Sequence, residues 1–377
     1  MTDSALNTIQ SKIMDVFGGD TPSKYTRNYP GYAAKALFAN QAARMSPIFN
    51  NSGRCIGQEV IWLKTNTLTA DYNGDGDDDT TNCTIADGQF PESDVVTYND
   101  NVRIRKNVTV NDNLCDDLFN DAALSLDGQT RAATLIAHQM GDAIVAIRKA
   151  LDARLITFVN ANRTGVNNDA NLPDYLTFNG TSDQFEADAA LFQEPDFLTD
   201  IDALVANNGM MNYFMLSGRR NFYNAVVNSE YRRNNSDERD HARFDMADIW
   251  FDKRLLDAQL NTADGTTGQG YTFAIGEGTY ALWNRVELPA IPTLIHAKDN
   301  IWGFYVEDPE LMIRENGILR PVRYHVLYQE GCAGRQANGV PYGKHSFEVY
   351  FEGGLAVAPP DTDGHTGILK MVGIAGV

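Results

Sequence analysis

The chain has 377 residues, 43% of them hydrophobic and 10% aromatic, with a mean hydropathy of -0.34. This composition suits a packed soluble protein of about two or three ordinary domains and excludes a disordered or membrane-embedded chain. Fifty acidic residues against 31 basic ones leave a formal charge of -19, which disfavours a general grip on a phosphate backbone, since such binding draws on clustered Lys and Arg. No stretch approaches about 18 uninterrupted apolar residues, so no membrane helix is expected. The first residues lack the basic start and apolar run of a secretory signal, and cytosolic synthesis is the expectation.

The opening segment reads as an amphipathic helix in which Leu6, Ile9, Ile13 and Phe17 recur three or four apart, with Gly18 and Gly19 as its stop. A second helix is expected after Pro30, with Tyr32, Ala33, Leu37, Phe38 and Ala43 on its apolar side and Pro47 as its end. Residues 57–69 and 94–110 are rich in strand formers, and Val102, Ile104, Val108 and Val110 alternate with polar residues. Between them lies DYNGDGDDDTTNCTIADGQFPES, a turn-forming stretch. The expectation is one two-stranded ribbon about 40 Å long, which cannot bury its own faces and needs another surface to lie on.

The strongest periodicity follows. Ile136, Met140, Ile144, Ile147, Leu151, Leu155 and Phe158 form one stripe of a helix over 128–162, and interspersed alanines raise its helix propensity. At about 1.5 Å per residue this is a rod of roughly 45 to 50 Å. Arg131, Asp142, Arg148, Lys149, Asp152 and Arg154 are assigned to its other faces, which favours a structural strut over a coiled coil. Beyond Gly165 the pattern is α+β. Helices are expected at 194–208 and 219–231, strands at 212–216, 271–275, 279–283, 301–306, 322–328 and 347–351, and a charged tract at 229–254.

Chemistry-bearing motifs are scarce. The chain holds no G-x-S-x-G, H-E-x-x-H or helix-opening G-x-G-x-x-G. Gly339, Gly343 and Lys344 in GVPYGKHS imitate a phosphate loop, but the glycine spacing is one short and His345 stands where Ser or Thr should hold magnesium. The histidines 138, 241, 296, 325, 345 and 365 are scattered singly, and Cys55, Cys83, Cys115 and Cys332 show no metal or disulfide spacing. The cluster Asp237, Glu238, Asp240, His241 and Arg243 reads as a solvated face or a subunit contact. Asp71, Asn73, Asp75 and Gly76, followed by Asp77, fit the start of a calcium loop, but Asn82 replaces the bidentate Glu, so the expectation is weak calcium binding or an acidic turn. No catalytic residue and no cofactor beyond that cation is expected, and the chain does not read as an enzyme.

The order of helical arm, strand pair, long helix and α+β body resembles the major capsid protein of tailed bacteriophages, with the Hong Kong 97-type fold. Gln58 to Thr69 and Val95 to Val110 look like its extended E-loop, and Gln129 to Asn162 like the spine helix of its peripheral domain. The segment DFLTDIDALVANNGMMNYFMLSGRRNFYNAVVNSEY looks like part of its axial domain. The resemblance implies a division into an N-terminal arm over 1–54, an E-loop with Asp-rich insertion over 55–112, and a peripheral domain over 113–194 containing the spine helix 128–162. It further implies an axial domain over 195–325 and C-terminal strands over 326–377 that return to the peripheral domain. The implied function is self-assembly, as pentamers and hexamers, into an icosahedral shell in the virion. That shell would enclose double-stranded DNA without reading its sequence. Scaffold, portal and decoration proteins are the implied partners, the host bacterial cytoplasm the place of assembly, and no membrane is involved. Two alternatives are an encapsulin-like nanocompartment shell and a calcium-dependent surface or carbohydrate-binding module using the Asp-rich loop with Trp62 and Tyr72.

Overall fold

A computed structural model describes residues 3–18, 31–49, 51, 55–62, 92–97, 102–110, 126–165, 172, 176–188, 201–206, 208, 210, 212–218, 241–244, 247–251, 271–330, 334–335, 341–342, 345–360 and 364–374. The elements in chain order begin with α1 (Asp3–Gly18), α2 (Tyr32–Asn40), β1 (Arg44–Phe49), β2 (Cys55–Trp62), β3 (Glu92–Thr97), β4 (Val102–Val110) and α3 (Leu126–Ala161). There follow β5 (Leu176–Asn179), β6 (Gln184–Asp188), β7 (Tyr213–Ser217), β8 (His241–Phe244), β9 (Ala247–Phe251), β10 (Tyr271–Gly276) and β11 (Tyr280–Asn284). The last are β12 (Thr293–His296), β13 (Ile301–Glu315), β14 (Ile318–Glu330), β15 (Gly334–Arg335), β16 (Pro341–Tyr342), β17 (His345–Val357) and β18 (Ile368–Ile374). They fall into two compact units. The first is Met1–Gln41, Tyr98–Phe158 and Leu282–Leu355; the second is Ala42–Thr97, Val159–Ala281 and Ala356–Val377. The stretch 195–325, expected as one domain, is therefore divided after Ala281, because β12, β13 and β14 pair with strands of the first unit.

In the first unit α3 is 36 residues long, a rod of about 54 Å at 1.5 Å per residue. Ile136, Met140, Ile144, Ile147, Leu151 and Leu155 are all buried, as the periodicity predicts. The stripe ends on Val159, which is buried, while Phe158 is half-exposed. Facing residues come from a six-stranded sheet of order β11-β17-β14-β13-β12, with β4 also paired to β17. Phe304, Val306, Leu311 and Ile313 of β13, Val322, Tyr324, Val326 and Tyr328 of β14, and Phe347, Val349 and Phe351 of β17 fill its core. α1 buries Leu6, Ile9 and Ile13, and α2 buries Leu37 and Phe38, whose ring stacks on Phe351 at 6.4 Å. Gly353 and Gly354 are required here: a Cβ on Gly354 would overlap the buried Trp283 indole, and one on Gly353 would meet the Trp283 carbonyl.

Two departures from the sequence reading fall near the start of the chain. The second helix stops at Asn40 rather than at Pro47, because Gln41 is extended (φ -70, ψ 138) and buried. The Gln41 side chain donates to the Arg314 carbonyl and accepts from the Leu282 amide at 2.6 Å, an anchorage a helical Gln41 would forfeit. Residues 44–49 then form β1, whose Pro47 is tolerated because β1 is at the edge of its sheet. The second departure concerns the ribbon. Among the described residues β2 pairs with β3 from Gly57 to Trp62 and with β1 on its other side, a sheet of three strands rather than two. The later part of the expected second strand, β4, pairs instead with β17 in the first unit over Val102 to Val110; residues 63–69 of the expected first strand and 98–101 of the second lie outside the described residues.

The second unit holds that three-stranded sheet and a seven-stranded one of order β5-β6-β18-β10-β7-β9-β8. Its core gathers Phe185, Ile201, Leu204, Val205, Met215, Ala274, Leu369 and Met371. β18 lies inside the sheet, parallel to β6 and antiparallel to β10. The helix expected at 194–208 is described over 201–206, and the one expected at 219–231 lies outside the described residues.

Candidate functional site

Among the described residues no group of three or more His, Cys, Asp or Glu side chains could hold a metal ion. Asp71, Asn73, Asp75 and Asp77 lie outside the described residues, as do Gly339, Gly343, Lys344, Asp237, Glu238 and Asp240. Trp62 is no sugar platform: it is 8% exposed, and its Nε1 donates to the Gly278 carbonyl at 2.8 Å. No described helix is long and apolar enough to cross a membrane.

Arg148 and Asp152, assigned by sequence to solvated faces of α3, are buried and bonded instead. At 1% exposure, Arg148 donates from Nε to Asp308 Oδ2 at 2.8 Å, from Nη2 to Asp308 Oδ1, and from Nη1 to Glu310 Oε2 at 3.3 Å. The Tyr324 hydroxyl adds a bond to Asp308 Oδ2 at 2.9 Å. The register of β13 against β14 breaks between Glu307 and Met312, a bulge containing Pro309. Asp308 Oδ1 accepts the Glu310 and Leu311 amides that this bulge frees, at 2.9 and 3.0 Å. Burial alone would lower the Arg148 pKa, but the carboxylate of Asp308 more than offsets it and the pKa rises. Burial and then Asp308 also push Tyr324 well up. Both groups therefore keep their protons at any physiological pH, so the cluster cannot cycle a proton and works as a rivet between helix and sheet. One turn along, Asp152 Oδ1 accepts from the Ala34 amide at 2.8 Å. Gly31, at the N-cap of α2, has no side chain to do this, so a carboxylate from α3 caps that helix.

A second cluster joins β4, the segment just after β11, β14 and β17. Arg285 pairs with Glu352 at 2.9 Å and with Glu287, and Arg103 lies 4.5 Å from the Tyr350 ring centroid. His325 is fully buried, stacks on Tyr350 at 4.7 Å, and accepts the Glu287 amide at its Nε2 at 3.0 Å. Burial, followed by the nearby Arg103 and Arg285 charges, lowers its pKa from 6.5 to about 4. A neutral imidazole that accepts at Nε2 carries its proton on Nδ1, for which the structure shows no acceptor among the described residues. This histidine is a structural acceptor rather than a base.

The surface carries the remaining signal. Where β13 turns into β14, Asn316 (φ 51) and Gly317 (φ 82) form a two-residue turn between the paired Glu315 and Ile318. Both central residues have positive φ, the geometry that Asn-Gly favours in tight hairpins. The tip exposes Ile318 at 56%, Leu319 at 52% and Met312 at 41%, flanked by exposed Arg314 and Arg320. At the other end of β13, the edge strand β12 exposes all four of its residues, Leu294 and Ile295 included, beside Ile291 at 65%. The Asn-Gly pair between apolar runs was a sequence signal that would have located the tip; exposure on both faces of β12 had none.

No protein-family model matches the chain, and no curated protein matches it. Solved structures do. Among them are structures of phages and of a virus-like particle. "Cyanophage Pam1 capsid asymmetric unit" aligns at 10% identity and a TM-score of 0.48, covering 94% of this chain and 95% of its own. A structure named "Mycobacterium phage Adephagia" aligns at 12% identity and a TM-score of 0.39, covering 96% and 97%. A virus-like particle from Pyrococcus furiosus aligns at 8% identity and a TM-score of 0.35, covering 97% and 98%.

Proposed function

We propose that the chain is a shell subunit, a structural rather than catalytic protein of the Hong Kong 97-type fold that assembles into the icosahedral head of a tailed bacteriophage around its double-stranded DNA. The observation that carries this reading is the order and length of the elements. Two N-terminal helices precede a strand set interrupted by the Asp-rich insertion; the 36-residue α3 then lies in a unit built on long strands, and the body divides into two units. In this reading the first unit is the peripheral domain, the second contains the axial domain, and β2 with β3 forms the base of the E-loop. The partners are further copies as pentamers and hexamers, with scaffold, portal and decoration proteins, assembled in the bacterial cytoplasm.

The charge of -19 suits containment. A wall that does not clamp phosphates lets packaged DNA slide, and cations offset the remaining repulsion. Asp71, Asn73, Asp75 and Asp77 supply one such weak calcium loop; calorimetry showing no heat at about millimolar calcium would remove that assignment. Negative-stain microscopy of purified protein tests the reading directly: closed shells of uniform size are expected, and a strictly monomeric protein under all assembly conditions overturns it. Shells enclosing protein cargo instead of DNA would move the function to a nanocompartment.

A further inference from the structure

The β13–β14 tip and the β12 edge both expose side chains on two faces. Ile318, Leu319 and Arg320 are successive and all exposed, as are Thr293, Leu294, Ile295 and His296. Apolar residues concentrated at two projecting places, rather than scattered, mark contact surfaces. The tip is also rigid. Its turn is an Asn-Gly pair with positive φ at both positions. Just behind it, Glu315 Oε1 accepts the Asn284 amide at 3.1 Å and the Gln41 side chain holds the Arg314 carbonyl. A contact element held this way loses little conformational freedom on docking.

Charge selects the occupant. The tip presents two cations, Arg314 and Arg320, on a chain of net charge -19. The β12 surface presents Asp299, paired with His296 at 3.0 Å, and Lys298, while Glu287 beside it is paired with Arg285, so it carries no excess of cations. Two tips meeting each other would set arginines against arginines, whereas a tip meeting the β12 end of another copy avoids that repulsion, places its arginines near Asp299 and joins apolar to apolar. The two surfaces sit at opposite ends of β13, since β12 pairs with Ile301 to Gly303 and the turn follows Glu315. About twelve residues of strand put them roughly 40 Å apart, so a tip cannot reach its own edge. The outer side of β12 is unpaired among the described residues, which leaves backbone donors and acceptors for an incoming segment.

We propose that the β13–β14 tip of one copy docks head to tail on the β12 edge of a second copy, through Ile318, Leu319, Arg314 and Arg320 against Leu294, Ile295 and Asp299. The proposal rests on the shell reading for its partner. A head-to-tail contact of this kind propagates into closed rings and shells, where a two-fold contact would stop at a dimer.

The test uses three full-length double variants: a tip variant, Ile318→Asp with Leu319→Asp; an edge variant, Leu294→Asp with Ile295→Asp; and a charge variant, Arg314→Glu with Arg320→Glu. The substituted side chains are exposed, so circular dichroism and thermal unfolding should match the unmodified protein. The tip and edge variants alone should sediment as monomers under conditions where the unmodified protein forms particles. Mixed one to one, they should form dimers at concentrations where neither does alone, because the edge variant's intact tip finds the tip variant's intact edge. The charge variant should raise the concentration threshold for assembly at least tenfold at low salt. Variants that assemble at the unmodified threshold, or a mixture that stays monomeric, overturn the contact. If the unmodified protein forms no particles, the shell reading fails, while the dimer in the mixture still decides this contact.

Discussion

The two ends of the β13–β14 hairpin solve opposite problems with the same strands. Around Asp308 and Tyr324 the carboxylate, the Arg148 guanidinium and the tyrosine hydroxyl are bonded to one another under α3, and Val306, Leu311 and Ile313 are buried. A few residues further on, Ile318 and Leu319 stand in solvent beside two arginines. The contrast shows how one rigid ladder can serve as core at its base and as a contact element at its tip, with the Asp308 bulge between the two.

The largest break in that contrast should come from the buried end. Ile147→Asp sets an unpaired charge into the helix stripe, where Ile147 is 1% exposed, and should abolish folding, read as loss of a cooperative urea transition. Arg148→Met comes next, costing about 3 to 5 kcal/mol because Asp308 is left buried and charged. The double variant Arg148→Met with Asp308→Leu should recover less than half of that loss, since the Glu310 and Leu311 amides and the Tyr324 hydroxyl lose their acceptor. Full recovery in equilibrium unfolding would show that Asp308 serves only the arginine.

His325 gives a pH-dependent version of the same test. Its folded pKa of about 4 lies below the ordinary 6.5, so its neutral form is favoured in the fold. No stability is lost to it above pH 6.5; between 6.5 and about 4 the unfolded chain takes up a proton that the folded one refuses, and stability should fall by about 3 kcal/mol. His325→Gln should lack this component of the slope. An unchanged pH profile in that variant would mean the imidazole reaches solvent before unfolding. The smallest effect belongs to the tip, where Ile318→Asp should change subunit stability by no more than about 0.5 kcal/mol; a larger loss in thermal unfolding would place the tip within the core.

How much the sequence disclosed tracks the range of the forces involved. The α3 stripe was legible because periodic burial is local, and the strands at β7, β10, β11 and β17 were legible because β-branched and aromatic runs are too. Arg148 was not, since a charge on a helix reads as solvated until Asp308, 160 residues later, is brought beneath it. The strand at 301–306 was expected to end before Asp308 and Pro309, the residues that instead make a bulge and let β13 continue to Glu315. The ribbon was overextended for the converse reason: alternation resumes after residue 101, but its partner is β17 rather than β2.

The position of β18 bears on how such a chain is made. This strand, Ile368–Ile374, is inserted between β6 and β10, which have no pairing with each other in the sheet order. Without β18 the sheet order leaves two separate sets of strands, β5-β6 and β10-β7-β9-β8, each with an unpaired edge. As the last strand of this sheet in chain order, β18 acts as a keystone, and a chain lacking it would present two sticky half-sheets instead of one finished wall.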